Sequence, residues 1–304
     1  MAKPSDALGE TEMRLVAVVL CALALGLALE WSASGATAQP AKPQPVVESP
    51  MQVHLVRSAQ PGCEPQCPEW IAAQGKIEAD SVARFKKVLK QLGDRKVPVF
   101  IDSSGGKVHE AFAIGRLLRR RGLDVAVTAT VFAPCAPADT GCRKAKTGGV
   151  LTGLPQARLS KCASSCAFIL AGGARRLVGA ESFVGVHRIR SYYVYMRVLQ
   201  TYRMTSSGKR LLSERRVAER VVETRTPQRV YTQIRQYFAE MGIADPALPL
   251  ILATPSDNLH WLTREELRLS QLATDWIDGE QLLSKGVIPT PAISAPQAQG
   301  PGQP

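Results

Sequence analysis

The chain is predicted to be an α/β protein with a mostly parallel sheet, and three features of the sequence carry that prediction. Short apolar or β-branched runs alternate with stretches of helical period between Val53 and Phe132. Small-residue turns stand where strands hand over to helices, at Ser103-Ser104-Gly105-Gly106 and again at Ser164-Ser165. Strand–helix–strand succession of this kind returns strands parallel through right-handed crossovers.

In order, Val53 to Val56 and Ile71 to Ile77 read as strands, and Asp80 caps a helix through Leu92 with Val82, Phe85, Val88 and Leu89 on one face. A buried strand from Val97 leads into the Ser-Ser-Gly-Gly turn and a helix carrying Val108, Phe112, Ile114 and Leu117. Paired glycines there let the backbone approach another group and aim its N–H groups into a cavity, though they serve a plain turn equally. Asp124 to Phe132 reads as one strand of valines alternating with small residues. Residues 133–160, rich in proline and glycine, form an insertion loop expected to hang over the serine turn that it leads into.

Lys161 to His187 is the stretch with the most chemistry. Ala167 to Ala171 is too apolar for a loop and too poor in β-branched residues for a strand, so it reads as a buried helix with Ser164 and Ser165 at its N-terminus. Free backbone N–H groups and the helix dipole favour a negative oxygen at that end, although a serine there also serves as a simple N-cap. The basic arm 189–226 alternates Lys and Arg with Leu and Val and is read as one exposed amphipathic helix. Pro227 starts a helix through Met241, and Thr263 with Glu266 caps a short one.

The ends describe an exported protein. Leu15 to Leu29 is an apolar run suited to a signal-peptide core, preceded by Arg14 and followed by an Ala36-Thr37-Ala38 cleavage pattern. Residues 1–38 are thus a signal peptide, with an uncleaved anchor as the alternative and Met13 as an alternative start. Residues 39–50 are a proline-rich linker, 51–288 the folded domain and 289–304 a disordered tail. Formal charge is +12, and removing the first 38 residues takes away two bases and four acids, leaving +14. With no nucleic-acid module, specific nucleic-acid binding is excluded and an anionic envelope surface is the expected neighbour. Setting Cys21 aside, six cysteines fall into close pairs, Cys63 with Cys67, Cys135 with Cys142 and Cys162 with Cys166. An even count in an exported chain points to disulfides, with connectivity open. Bonded to each other, Cys162 and Cys166 clamp both sides of Ser164; bonded to the Cys135 loop, they close a lid over it. Spacings other than C-x-x-C argue against zinc, so no metal and no cofactor is expected.

Taken together, Ser103 to Gly106, Cys162 to Ala174 and Gly185-Val186-His187 resemble the peptidase subunit of the Clp protease and the wider Clp/crotonase superfamily. There a Ser-Pro-Gly-Gly turn opens one helix, an Ala-Ser-Met-Gly-Ala turn opens the next, and a histidine comes after the second helix. The resemblance implies superhelical ββα repeats, peptide substrates and a homo-oligomer built partly by the region matching the basic arm, which by composition alone is a solvated face. It places Ser164 as nucleophile, His187 as general base, and the amides of Gly106 and Ser165 as oxyanion hole. The family's acid falls on Leu259, leaving nearby Asp257 or Asn258 to substitute by a loop shift. His260 is the one other histidine near that loop. The leading expectation is an exported serine peptidase. Its alternative is an inactive binding module on the same scaffold, ahead of an acyl-CoA enzyme, which export would separate from CoA.

Overall fold

The computed structural model describes residues 48–134 and 150–284, and what organises them is a sheet buried on both faces. β2 (Glu69–Gln74), β3 (Val99–Asp102) and β4 (Val125–Val127) run parallel at its centre. β1 (Gln52–Ser58) lies antiparallel to β2 and parallel to β6 (Leu151–Gln156), while β5 (Ala129–Ala133) and β8 (Arg176–Leu177) form the edges. Four of the six pairings are parallel. Alternate residues serve opposite cores, as a doubly covered sheet requires. Ile71, Ile101 and Val127 face the main core, while Trp70, Phe100 and Ala126 face a smaller one with Ile277 and Leu282.

The helices fill the main core. α1 (Ser81–Leu92) buries Phe85, Val88 and Leu89, and α2 (Val108–Arg121) buries Phe112, Ile114 and Leu118. Asp80 stands at the N-cap of α1 without capping it, because its carboxylate takes Arg84 at 2.7 Å instead. α3 (Cys166–Ala171) is buried throughout, and α4 (Gln228–Glu240) and α5 (Ala247–Ala253) pack beside it. α5, containing Pro249, had no sequence prediction. The capping box at Thr263 opens α6 (Arg264–Leu269) as predicted, and α7 (Gly279–Ser284) comes last.

Several expectations are corrected. The strand predicted over 124–132 is two strands, broken at Thr128. Val127 and Ala129 stand in strands five places apart in the sheet order. A flat sheet would separate those strands by about 24 Å, whereas two residues span about 7 Å. The sheet therefore curls until β5 crosses β2, where the Trp70 indole N–H donates to the Thr130 hydroxyl at 2.9 Å and the Thr130 amide to the Gln74 side-chain oxygen at 2.9 Å. Part of the predicted insertion loop is strand β6; residues 135–149, with Cys135 and Cys142, lie outside the described residues, as do 1–47 and 285–304. Glu48 to Pro50, assigned to the linker, belong to the fold, since the Lys76 amide donates to Ser49 oxygen at 2.9 Å.

The largest correction is the basic arm. It is not a helix but a two-stranded antiparallel ribbon, β10 (Ser191–Thr205) with β11 (Gly208–Thr224), exposed along nearly its whole length. Its Tyr, Val, Met and Thr content suits extended backbone, and Ser206-Ser207 make the turn. The register puts Arg197, Arg203, Arg210, Arg215 and Arg220 on one face with Tyr193 and Tyr195, whereas Glu214, Glu219 and Glu223 share the other with Val194, Met196 and Val198.

A second, three-stranded sheet carries the candidate site: β7 (Lys161–Ala163) parallel to β9 (Phe183–Val186), and β12 (His260–Trp261) antiparallel to β9. Ser103 stitches it to the end of β3, donating its amide to Lys161 oxygen at 2.8 Å and accepting from the Ala163 amide at 2.9 Å.

This packing can be tested at two places. Replacing residues 192–223 by Asn-Gly, which closes the Ser191–Thr224 pair with a two-residue turn, is expected to move the thermal midpoint by less than about 5 °C, as measured by circular dichroism. Where α2, α3 and α4 meet, the Tyr237 hydroxyl donates to Phe168 oxygen at 2.6 Å, and a methyl at Gly115 would stand 1.9 Å from the tyrosine oxygen. Gly115→Ala should therefore cost about 1–3 kcal/mol in urea unfolding, with Tyr237→Phe recovering part of it by removing the clashing atom.

Candidate active site

The site is built where two strand-to-helix turns meet. At the first, the Ser103 hydroxyl donates to Gly75 oxygen at 2.7 Å and accepts from the Gly105 amide at 3.1 Å, fixing the turn from beneath. Gly105 and Gly106 have φ of +101° and +142°, values that favour glycine. A methyl on Gly105 would lie 2.7 Å from Ser164 Cβ and 3.1 Å from the Ser165 nitrogen; one on Gly106 would lie 2.1 Å from Ile77 oxygen. The first glycine thus makes room for the serine turn and the second for the Ile77 backbone beyond β2. Gly106 bridges Ile77 in parallel fashion, Ile77 bonding to Gly105 oxygen and to the Lys107 amide. In that geometry Gly106 turns its own N–H away from Ile77, and this amide meets no acceptor among the described residues.

At the second turn, Ser164 links β7 to α3 with φ +56°, a left-handed conformation that costs a non-glycine residue roughly 1–2 kcal/mol. Its amide donates to Gly185 oxygen at 2.7 Å, so the nucleophile candidate is pinned to the strand that ends one residue before His187. The side chain is half-buried, and its hydroxyl has no hydrogen-bond partner among the described residues. The Ser165 amide also meets no acceptor there, and the Ser165 hydroxyl is fully buried without a partner. Cys162 and Cys166, both fully buried, are disulfide-bonded to each other and bracket the turn. Cys63 and Cys67 form the other disulfide among the described residues. Neither of these pairs bridges to the Cys135 loop, which excludes the lid connection.

Around the first turn, the Lys161 amide donates to Asp102 at 2.8 Å, and Ser104 donates its hydroxyl and its amide to Glu48. Burial raises both carboxyls' pKa above the ordinary values. Sequence reasoning missed Glu48 because its partner lies 56 residues away, and missed Gly105 because only tertiary contact shows which glycine abuts the serine.

His187 is half-buried, with Nδ1 2.8 Å from Arg188 oxygen. A carbonyl only accepts, so Nδ1 carries the hydrogen and Nε2 keeps its lone pair. Burial lowers the ring's pKa below 6.5, opposed by the Arg188 carbonyl and reinforced by the Arg190 charge. Among the described residues no carboxylate acts on the ring. Asp257, the expected triad acid, is not among the groups that act on the ring. The β12–β9 register pairs His260 with Val186, which sets Leu259 opposite His187. By Asp257 the chain has turned away, the Asn258 amide donating to Pro255 oxygen at 3.2 Å, and Asp257 lies exposed in a cleft with Arg188 and Arg190. His260 is engaged elsewhere, with Nε2 2.8 Å from Glu266.

No family model and no curated protein matches the sequence. Among solved structures, a point mutant of the 1510-N membrane-bound stomatin-specific protease is similar at 14% identity and TM-score 0.39, over 76% of this chain and 84% of that one. A second mutant of that protease, in complex with a substrate peptide, is similar at 16% identity and TM-score 0.41, over 71% and 78%. A point mutant of ClpP1 from Listeria monocytogenes is similar at 12% identity and TM-score 0.37, over 68% and 90%.

The disulfide beneath Ser164 yields a prediction. Replacing Cys162 and Cys166 together by alanine should lower unfolding free energy by about 2 kcal/mol, the loop-closure value for so short a ring, as read from urea denaturation.

Proposed function

We propose that this chain is an exported serine hydrolase of the Clp-peptidase type, most simply a peptidase, working with a Ser164–His187 pair and no carboxylate. The observation that carries the reading is Ser164 itself. It is held in a strained strand-to-helix turn, beside two amides that meet no acceptor among the described residues and at the end of a strand parallel to the one that delivers His187. Strain of this kind persists only where the surroundings impose it, and it presents the hydroxyl outward.

In the reaction, Nε2 of neutral His187 takes the Ser164 proton as the oxygen attacks a peptide carbonyl. The Gly106 and Ser165 amides receive the negative charge that develops on the carbonyl oxygen. The imidazolium then returns its proton to the leaving amine, and water repeats the sequence on the acyl-enzyme. The Arg188 carbonyl selects the tautomer, the orienting task that a carboxylate performs in a full triad. Export is part of the same reading, supported by two short-range disulfides and the apolar leader. The superhelical repeat belongs to it too.

One observation favours a second reading, a binding module without catalysis: the β12–β9 register, continued one place past His260–Val186, brings Leu259 and not an acid level with His187. A fluorophosphonate probe separates the two. The hydrolase reading expects labelling that Ser164→Ala abolishes and His187→Gln slows by about 10²- to 10⁴-fold. Because the neutral ring is the base and its pKa is lowered, the labelling rate should fall as pH drops through a midpoint below 6.5 and stay flat above it. Absence of labelling, or equal labelling of Ser164→Ala, assigns the chain to the binding module.

A further inference from the structure

At the root of the ribbon, one residue beyond His187, a cleft of 740 Å³ opens between the ribbon, α4 and the segment leading to β12. Four arginines line it, Arg188, Arg190, Arg225 and Arg235, together with two acidic residues, Glu223 and Asp257. Among the described residues none of the four arginines lies within ion-pair distance of an acid. Two are aimed by backbone instead: Arg188 Nε donates to Thr254 oxygen at 3.3 Å, and Arg190 Nε to Ser256 oxygen at 2.6 Å. Fixing Nε leaves the terminal nitrogens of each fork for a planar two-oxygen acceptor. Tyr231 and Leu248 supply less polar wall.

The cleft also lies within reach of the serine. Gly185 pairs with Ala163, and Arg188 is three residues further along, about 10 Å of extended chain. A peptide with a carbonyl at Ser164 therefore arrives at these arginines within roughly three residues.

We propose that this cleft selects peptide segments bearing carboxylates, so that cleavage is directed to sites a few residues from acidic side chains. The inference rests on the hydrolase reading of Ser164, and its test reads binding separately from chemistry. The probe is a fluorescein-labelled decapeptide, apolar in its first half with four Glu in its second, against a counterpart with Gln for each Glu. Anisotropy titration of full-length Ser164→Ala protein is expected to give about tenfold tighter binding of the Glu peptide, with the preference shrinking as salt rises. Arg225→Gln with Arg235→Gln in the same chain should remove the preference, whereas Arg203→Gln with Arg210→Gln at the ribbon tip should leave it.

Equal binding of the two peptides overturns the assignment. So does equal loss in the tip variant, since the preference would then come from net charge alone. If phosphatidylglycerol vesicles bind through Arg225 and Arg235 while the peptides show no preference, the cleft serves a membrane and the assignment likewise falls. Fluorophosphonate labelling of the wild type is read in parallel: its success with no peptide preference rejects the cleft alone, and its failure rejects the hydrolase reading itself.

Discussion

Nothing larger than hydrogen fits at position 105, and the candidate site depends on that contact. The missing side chain lets the turn after β3 close against the Ser164 turn, with a would-be methyl only 2.7 Å from Ser164 Cβ. The same approach lets Ser103 join the two sheets by a pair of backbone hydrogen bonds. Each side is then reinforced. The Ser103 hydroxyl ties the first turn to Gly75, and the Cys162–Cys166 disulfide spans the second. A left-handed serine survives here because strand pairing, a disulfide and a buried helix all hold it.

The arrangement around His187 is asymmetric in a way that bears on rate. A backbone carbonyl sets the tautomer as well as a carboxylate does, but its partial charge would offer little to the imidazolium formed if His187 took the Ser164 proton as proposed. Burial and the Arg190 charge disfavour that cation further. On the proposed reading the base is therefore neutral and available at ordinary pH yet weak in driving force, which makes for a slow hydrolase rather than a fast one. Selectivity is the property that an arginine-lined cleft beside the site would supply.

Where local residue pattern decides, sequence and structure agree. The helix at Ala167 to Ala171 is present because a run of apolar residues without β-branching buries well as helix, and the Thr263 capping box forms because its two partners are three residues apart. The ribbon escapes a local reading because alternating Leu, Val and Arg residues suit a helical face and a strand face alike, and only pairing of the two halves across the Ser206-Ser207 turn chooses the strand. The break at Thr128 is hidden for a related reason, since the alternation runs unbroken while the curl of the sheet sends its halves to strands five places apart.

By itself the sequence determined the order of parts: a glycine turn, a serine turn, a buried helix and a histidine, together with the α/β class that such an order implies. These are short-range properties, carried by periodicity, backbone permissiveness and composition. The tertiary structure alone decided that Gly105 rather than Gly106 abuts Ser164, and that arginines from the two ends of the ribbon and from α4 line one cleft. Each of those turns on strand register or on the meeting of segments far apart in the chain, and a one-residue change in either exchanges one neighbour for another without altering any local pattern.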